Sequence, residues 1–313
     1  MTATLTPAPA SAPTPVAAMS RKTARKKVPQ LGWMFGVVWL TVLAVCAFAA
    51  NYLPFIRTYD AKVLVNGRAK KYGIGPGWTA WFGTDNSSHD VFARCIYGAR
   101  QTLIIGVGAT VIGLTVGGLL GVLAGYYRGW TDRVVSILVD CLLALPPLLL
   151  ALLLIQRSDQ IKQSITAIAW LTRTQEIMIT LGILSIAPFA RIVRAQTLAL
   201  RERDFVLAAR SLGATGGRVI WREIMPNLVP AMVTVAVTGL GILIAAEGTL
   251  AFLGLGVERP QTWGKMIDAS RDDLKRAWWA AIFPCLFLFL TVLSFNFIGD
   301  RLARKFDIRE AAV

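Results

Sequence analysis

Long apolar runs bounded by charged residues dominate the chain. A bilayer core of about 30 Å requires roughly twenty mostly apolar helical residues, and six runs approach that length. They cover residues 31–56, 102–126, 134–155, 177–192, 228–257 and 278–298, the fourth being the shortest. The pattern predicts an all-α integral membrane protein with about six transmembrane helices. An even number of spans would return both termini to the same side.

The polar stretches between these runs predict the remaining organisation. Residues 1–30 begin with an aperiodic run of Ala, Pro, Thr and Ser, which is typical of a disordered tail. The first helix, 31–56, is then followed by an extracytoplasmic loop at 57–101. Residues 102–300 form the membrane core with a cytoplasmic loop at 194–227, and 301–313 form a cytoplasmic tail. A cleaved secretory signal is the alternative for the N-terminus, but its apolar run is too long for one.

Composition and charge agree with a membrane location. The chain is 55% hydrophobic and carries 33 Lys and Arg against 18 Asp and Glu, a formal net charge of +15. In a soluble protein that charge would suggest a nucleic-acid partner, but the apolar excess requires a bilayer first. The basic cluster at 21–27 contains no acid and directly precedes the first span. By the positive-inside bias, both termini are expected in the cytoplasm.

The residues for metal or nucleotide chemistry are few. His89 is the single histidine, and Cys46, Cys141 and Cys285 lie inside apolar runs, where they are expected to serve in packing. The sequence lacks a Gly-rich loop followed by Lys and Ser or Thr, so it has no phosphate cradle of the P-loop kind. We therefore expect no metal site, no cofactor and no catalytic residue in this chain.

Small residues recur along one face of the second predicted helix. Gly113, Gly117, Gly121 and Gly125 are spaced four apart, so they line one helix face and allow a second backbone to approach closely. The partner is either a helix of the same chain or another subunit.

Two acids fall at apparent membrane depth. They are Asp140 in the third run and Glu247 in the fifth. Burying a carboxylate in a membrane is energetically unfavourable unless it has a partner or faces a water-filled cavity. Both are therefore candidates for a translocation pathway or a proton relay. For Asp140 the alternative is an arginine partner near the inner surface. Pro146 and Pro147 are expected to kink the third helix.

The cytoplasmic segment 201–227 is too polar to span and too patterned for a linker. Phe205, Ala208, Ala209 and Leu212 fall at helical spacing, which predicts a short amphipathic helix. Gly213 is expected to end that helix, and Pro226 to mark the start of the fifth span. Such a helix either docks into a groove on a partner protein or lies on lipid headgroups.

This segment resembles the inner loop of the permease subunits of ATP-binding-cassette (ABC) importers, specifically the second permease of dipeptide, oligopeptide and nickel systems. Ala208, Ala209, Gly213 and Pro226 hold the positions of the family motif, whereas Leu207 stands where the motif glutamate is expected. Further similar motifs run from Gly83 almost to the C-terminus.

The resemblance implies the type I importer permease (MetI-like) fold in a bacterial inner membrane. It implies as partners a homologous second permease, two cassette ATPase subunits that bind ATP and Mg, and an extracytoplasmic substrate-binding protein. The solute would be a peptide, nickel or another small molecule. The implied ATPase-coupling residues are Phe205, Ala208, Ala209, Gly213, Ala214, Arg218 and Pro226. The alternative is a self-contained secondary transporter or channel acting through Asp140 and Glu247, although such proteins usually show internal repeats and none is found.

Overall fold

A computed structural model of the chain describes residues 30–65, 68–69, 73–164 and 170–310. The predicted disordered tail and the basic cluster at 21–27 lie outside these ranges. The described helices are α1 Gln30–Ala49, α2 Val91–Tyr127, α3 Gly129–Ala144, α4 Pro147–Ser164, α5 Arg173–Arg201, α6 Asp204–Ser211, α7 Gly216–Val219, α8 Met225–Leu250, α9 Trp263–Ala269 and α10 Trp279–Glu310. A small antiparallel pair, β1 Leu64–Val65 and β2 Arg68–Ala69, joins them in the loop after α1.

Six helical passes cross the bundle in alternating directions. Five helical segments in the described part of the chain are long and apolar enough to span a membrane, and the bent pair of α3 and α4 makes a sixth pass. Helix α1 runs antiparallel to α10, since Gly32 faces Phe297 and Gly36 faces Ser294. The start of α1 and the end of α10 therefore lie at the same end of the bundle, with the ends of α2 and α5 and the start of α8. We call this the α6 end, and the opposite one the α9 end.

The observed helix boundaries differ from the predicted ones. Helix α1 ends at Ala49 rather than at residue 56, in a segment that contains Pro54. Helix α2 begins at Val91, well before residue 102, because the side chain of Asp90 accepts hydrogen bonds from the backbone N–H groups of Phe92 and Ala93. The segment between α1 and α2 therefore covers residues 50–90 instead of the predicted 57–101. Helix α10 continues to Glu310 and absorbs most of the predicted tail at 301–313.

The predicted third helix is broken into two. Helices α3 and α4 meet at 92°, which is a sharper change of direction than the expected kink. Leu145 adopts an extended conformation with ψ 135°, as the steric demand of the following Pro146 favours. Helix α4 then begins at Pro147, a position where the missing N–H removes no helical hydrogen bond.

The glycine stripe of α2 packs against α5 of the same chain. A Cβ on Gly117 would lie 2.5 Å from the carbonyl oxygen of Ile186, and one on Gly121 would lie 2.7 Å from that of Ala190. Gly113 faces Ser185, and Gly125 faces Thr197. The stripe therefore packs against a helix of the same chain, which is one of the two partners that the sequence allows.

Candidate coupling site and intramembrane carboxylates

Helix α6 packs against the bundle chiefly through Val206, a residue that the sequence pattern does not single out. Val206 is fully buried and belongs to an apolar cluster with Tyr126, Val193, Val219 and Ile220. This cluster joins the ends of α2 and α5 to the α6–α7 segment. Because Val206 occupies the inward face, the residues on either side of it project away from the bundle.

The outward face of α6 is apolar and uncovered by the described chain. Phe205, Leu207 and Leu212 are exposed, the last at 89%, and Ala208 is exposed between them. Of the four residues predicted at helical spacing, Phe205, Ala208 and Leu212 lie on this outward face, whereas Ala209 does not. Ala209 is half-buried toward the cluster. An exposed apolar face on a short helix is typical of an interaction site.

Gly213 ends α6 as the sequence predicts. Its φ of +82° lies in the left-handed region, where a residue without Cβ is favoured. The backbone N–H of the next residue, Ala214, donates to the carbonyl oxygen of Ala209 at 3.1 Å and completes the turn. Arg218 and Pro226 are exposed beyond it.

The segment after this turn connects the site to the membrane core without interruption. Helix α7, the π-helical turn Ile220–Ile224, helix α8 and a second π turn, Ala251–Leu255, form one helical stretch, Gly216–Leu255. Ile224 and Leu228 are fully buried along it. Helices α7 and α8 thus form one continuous helical element from Gly216 into the membrane core. The predicted loop 194–227 is shorter than expected, because α5 continues to Arg201.

Asp140 has an arginine partner, which was the structural alternative for this residue. Its Oδ1 accepts from Nη2 of Arg191 at 2.8 Å, and both side chains are more than 60% exposed. Eight residues earlier on α3, Asp132 accepts two hydrogen bonds from Arg194, one of them 2.8 Å long. Two Asp–Arg pairs thus connect α3 to α5. Asp140 contacts α5 in this way, and the structure does not bring it together with Glu247.

Glu247 lies inside the chain's own packing. It is fully buried in α8 and forms no ion pair with the described residues. Helix α9 covers this part of α8 closely: a Cβ on Gly264 would lie 2.6 Å from Cα of Gly248. Thr262, which caps α9, lies beside the carboxyl group. A role in the pathway requires this packing to open during transport.

We predict that Glu247→Gln leaves the fold intact and reduces transport. Because no cation pairs with the carboxylate, neutralisation leaves no uncompensated charge, and stability should stay within about 1 kcal/mol of the wild type. Uptake of an amino-bearing solute should fall if the carboxylate faces the pathway. Thermal unfolding in detergent and uptake by vesicles measure the two effects. Normal uptake would remove Glu247 from the pathway, and a large stability loss would reveal a hidden partner.

The α9 end carries a polar cavity that the sequence did not predict. It has a volume of about 300 Å³ and lies between the segment before α2 and the segment around α9. Arg94 donates to Asp85 at 2.6 Å, and Asn86 donates to Asp273 at 2.8 Å. Burial and the nearby Arg94 guanidinium lower the pKa of His89, which lies against Asp85. The contact between Asn86 and Asp273 joins the segment before α2 to the segment between α9 and α10.

Solved structures share this arrangement of helices. The chain is similar to a protein in the inward-facing MetNI methionine ABC transporter, with a TM-score of 0.57 and 19% identity over 70% of this chain and 99% of that one. It is also similar to a chain of an amino acid ABC transporter crystallised with histidines, with a TM-score of 0.53 and 19% identity over 68% and 94%. The fold is thus that of a type I ABC importer permease, as predicted.

Sequence comparisons identify the family. Residues 117–309 match the family described as binding-protein-dependent transport system inner membrane component. The glutathione transport system permease protein GsiD of Pectobacterium atrosepticum is 35% identical over 86% of this chain and 84% of its own. The dipeptide transport system permease protein DppC of Alkalihalophilus pseudofirmus is 38% identical over 74% and 73%. The chain therefore belongs to this family: it is a multi-pass membrane protein and a permease subunit of an ABC-type importer.

Proposed function

We propose that this permease forms, with a homologous second permease, the translocation path for a peptide or peptide-like solute, and that two cassette ATPases drive it by docking on α6. The exposed apolar face of Phe205, Leu207, Ala208 and Leu212 carries the proposal. ATP and Mg bind in the ATPases, and a substrate-binding protein delivers the solute at the α9 end. The peptide class rests on the glutathione and dipeptide permeases among the relatives.

Docking on α6 has a mechanical consequence in this chain. Val206 and Val219 belong to one buried cluster, so α6 and α7 move together. Helix α7 continues through the π turn into α8, which contains Glu247 and supports α9. An ATPase that shifts α6 when it binds or hydrolyses ATP would therefore displace α8 as well. The absence of the motif glutamate at Leu207 leaves the contact mainly apolar.

Reconstitution of the assembled complex tests the function. The chain, a second permease and two cassette ATPases would be placed in liposomes with a binding protein. Uptake of labelled dipeptide, glutathione and Ni²⁺ would be measured with and without ATP. We expect ATP-dependent uptake of a peptide-class solute and stimulation of ATP hydrolysis by the liganded binding protein. Uptake that proceeds without ATP, driven by an ion gradient, would contradict the proposal.

The orientation is part of the proposal, with the α6 end in the cytoplasm. The end carries Arg128, Arg133, Arg203, Arg218, Arg222 and Arg301 among its basic residues, and positive charge favours the cytoplasmic side. Single cysteines at Ser87 and Lys305, both exposed, would be introduced into a background without native cysteine. The cells are treated so that the reagent reaches the outer face of the membrane that holds the protein but does not cross that membrane. An impermeant thiol reagent should then label position 87 and leave position 305 unlabelled. The reverse pattern would show an inverted topology.

A further inference from the structure

Two arginines share one aromatic ring at the α6 end. The guanidinium carbon of Arg201, the last residue of α5, lies 6.0 Å from the centroid of the Tyr126 ring. That of Arg210, on α6, lies 4.9 Å from the same centroid. Tyr126 itself is buried near the end of α2. Three helices therefore bring two cations to one aromatic ring, whose π system attracts each of them.

Within the described chain, no carboxylate forms an ion pair with either arginine. Nε and Nη1 of Arg201 are buried and have no hydrogen-bond partner. Glu202 is the acid that attracts Arg201, but its Oε1 accepts from Nη2 of Arg128 at 2.5 Å. Arg128 and Arg210 both repel Arg201. Buried guanidinium N–H groups without an acceptor are unfavourable, and like charges nearby increase the cost.

An oxyanion would suit these donors by its chemistry. Guanidinium is planar and presents paired N–H donors that match the oxygens of phosphate. Arg201 and Arg210 come from different helices, so one phosphate between them would receive donors from both. The same anion would relieve the repulsion between their charges and satisfy the unbonded donors of Arg201.

The level of the site in the bundle identifies the source of the phosphate. Directly beside Tyr126 on the chain, Tyr127 is exposed, and Trp130 at the start of α3 is 78% exposed. Tyr and Trp that project outward at the ends of spanning helices are typical of the bilayer interface. Basic pockets between helices at this depth bind lipid headgroups. We propose that Arg201 and Arg210, packed on Tyr126, bind the phosphate of an anionic phospholipid.

Such a lipid would hold the coupling site in place. Arg201 ends a spanning helix and Arg210 belongs to α6, so a phosphate bound by both joins α6 to α5 in addition to the apolar contact of Val206. Loss of the lipid would loosen α6 while leaving the spans intact. Membrane composition would then affect how firmly the coupling helix is presented to a partner.

Lipid retention and stability in nanodiscs test the site. The purified chain would be placed in discs of phosphatidylcholine alone and of phosphatidylcholine with phosphatidylglycerol, and retained lipid would be counted by native mass spectrometry. Arg201→Gln and Arg210→Gln should each lower phosphatidylglycerol retention about tenfold, the effect of one lost charge-assisted hydrogen bond. Arg222→Gln is the matched control, because it removes an exposed arginine of the same end and should leave retention unchanged.

Further arms separate the possible anions. Phosphatidylglycerol in the discs should raise the unfolding temperature of the wild type. Inorganic phosphate at the same concentration, added to discs of phosphatidylcholine alone, should raise it less. Equal retention by all variants would overturn the proposal. Stabilisation by free phosphate alone, or only by an added cassette ATPase, would overturn the lipid as the ligand. If Arg201→Gln fails to fold, Arg210→Gln on the peripheral helix α6 provides the same test.

Discussion

Gly117→Leu should prevent the folded permease from accumulating in the membrane. At this position α2 and α5 are in backbone contact, with an added Cβ only 2.5 Å from the carbonyl oxygen of Ile186 and 3.1 Å from the backbone nitrogen of Ala190. Backbone inside two packed helices does not move aside as a side chain does. The leucine must therefore separate the helices, at a cost of more than about 3 kcal/mol. Membrane levels and detergent size-exclusion profiles measure the loss.

The neighbouring glycine provides the control. A Cβ on Gly118 would meet only the terminal Cε of Met232, at 2.8 Å, and a methionine side chain adjusts its rotamers at low cost. Gly118→Ala should consequently unfold within a few degrees of the wild type, whereas Gly117→Ala should unfold distinctly earlier. If the two alanine variants unfold alike, close backbone packing of α2 on α5 is not what the stripe provides.

The glycine stripe can be predicted from the sequence because it depends only on the spacing of residues within one helix. Side-chain size and a spacing of four place Gly113, Gly117, Gly121 and Gly125 on one helix face whatever the surroundings. The helix that packs against the stripe cannot be predicted from nearby residues. Nothing in the sequence around Ile186, Ala190 and Thr197 marks them as its contacts. The face could thus be predicted, but its partner in the same chain required the structure.

Helix boundaries were less predictable, because they depend on single contacts rather than on hydropathy. Asp90 starts α2 through hydrogen bonds to two backbone N–H groups, in a stretch too polar to be counted as a span. Pro146 and Pro147 were expected to bend a continuous helix. The extended conformation of Leu145 instead divides it into α3 and α4. An average of hydropathy over a whole span does not resolve the effect of single residues such as these.

For the coupling helix α6, the sequence likewise does not show which face packs against the bundle. Apolar residues occur all round α6, so spacing alone does not decide which of them packs inward. Val206 is buried because Val193, Val219 and Ile220 surround it, and these come from α5 and from the segment that follows α6. Of the predicted residues Phe205, Ala208, Ala209 and Leu212, three lie on the free face, whereas Ala209 turns toward the buried cluster. Only the packing shows that this face is free.

Ala208→Trp should abolish coupled transport without unfolding the chain. Ala208 is exposed on the free face of α6, between Phe205 and Leu212, so the indole meets no atom that the fold requires. On the proposed docking surface it would hold an ATPase away from the helix. Co-purification of the ATPases and ATP-driven uptake should each fall at least about tenfold, which corresponds to a loss of 1.4 kcal/mol in association. Unfolding temperature should remain near that of the wild type.

Two companion variants separate bulk from other effects. Ala208→Ser keeps the small volume and should retain uptake, because close approach to the helix is preserved. Gly213→Ala adds one methyl group where no atom lies within 4 Å, but at a φ of +82°, so any effect arises from backbone strain of about 1 kcal/mol. Loss of uptake in Ala208→Trp with normal ATPase binding would mean that the partner docks elsewhere. Retained uptake and binding in that variant would show that the free face of α6 is not the coupling surface.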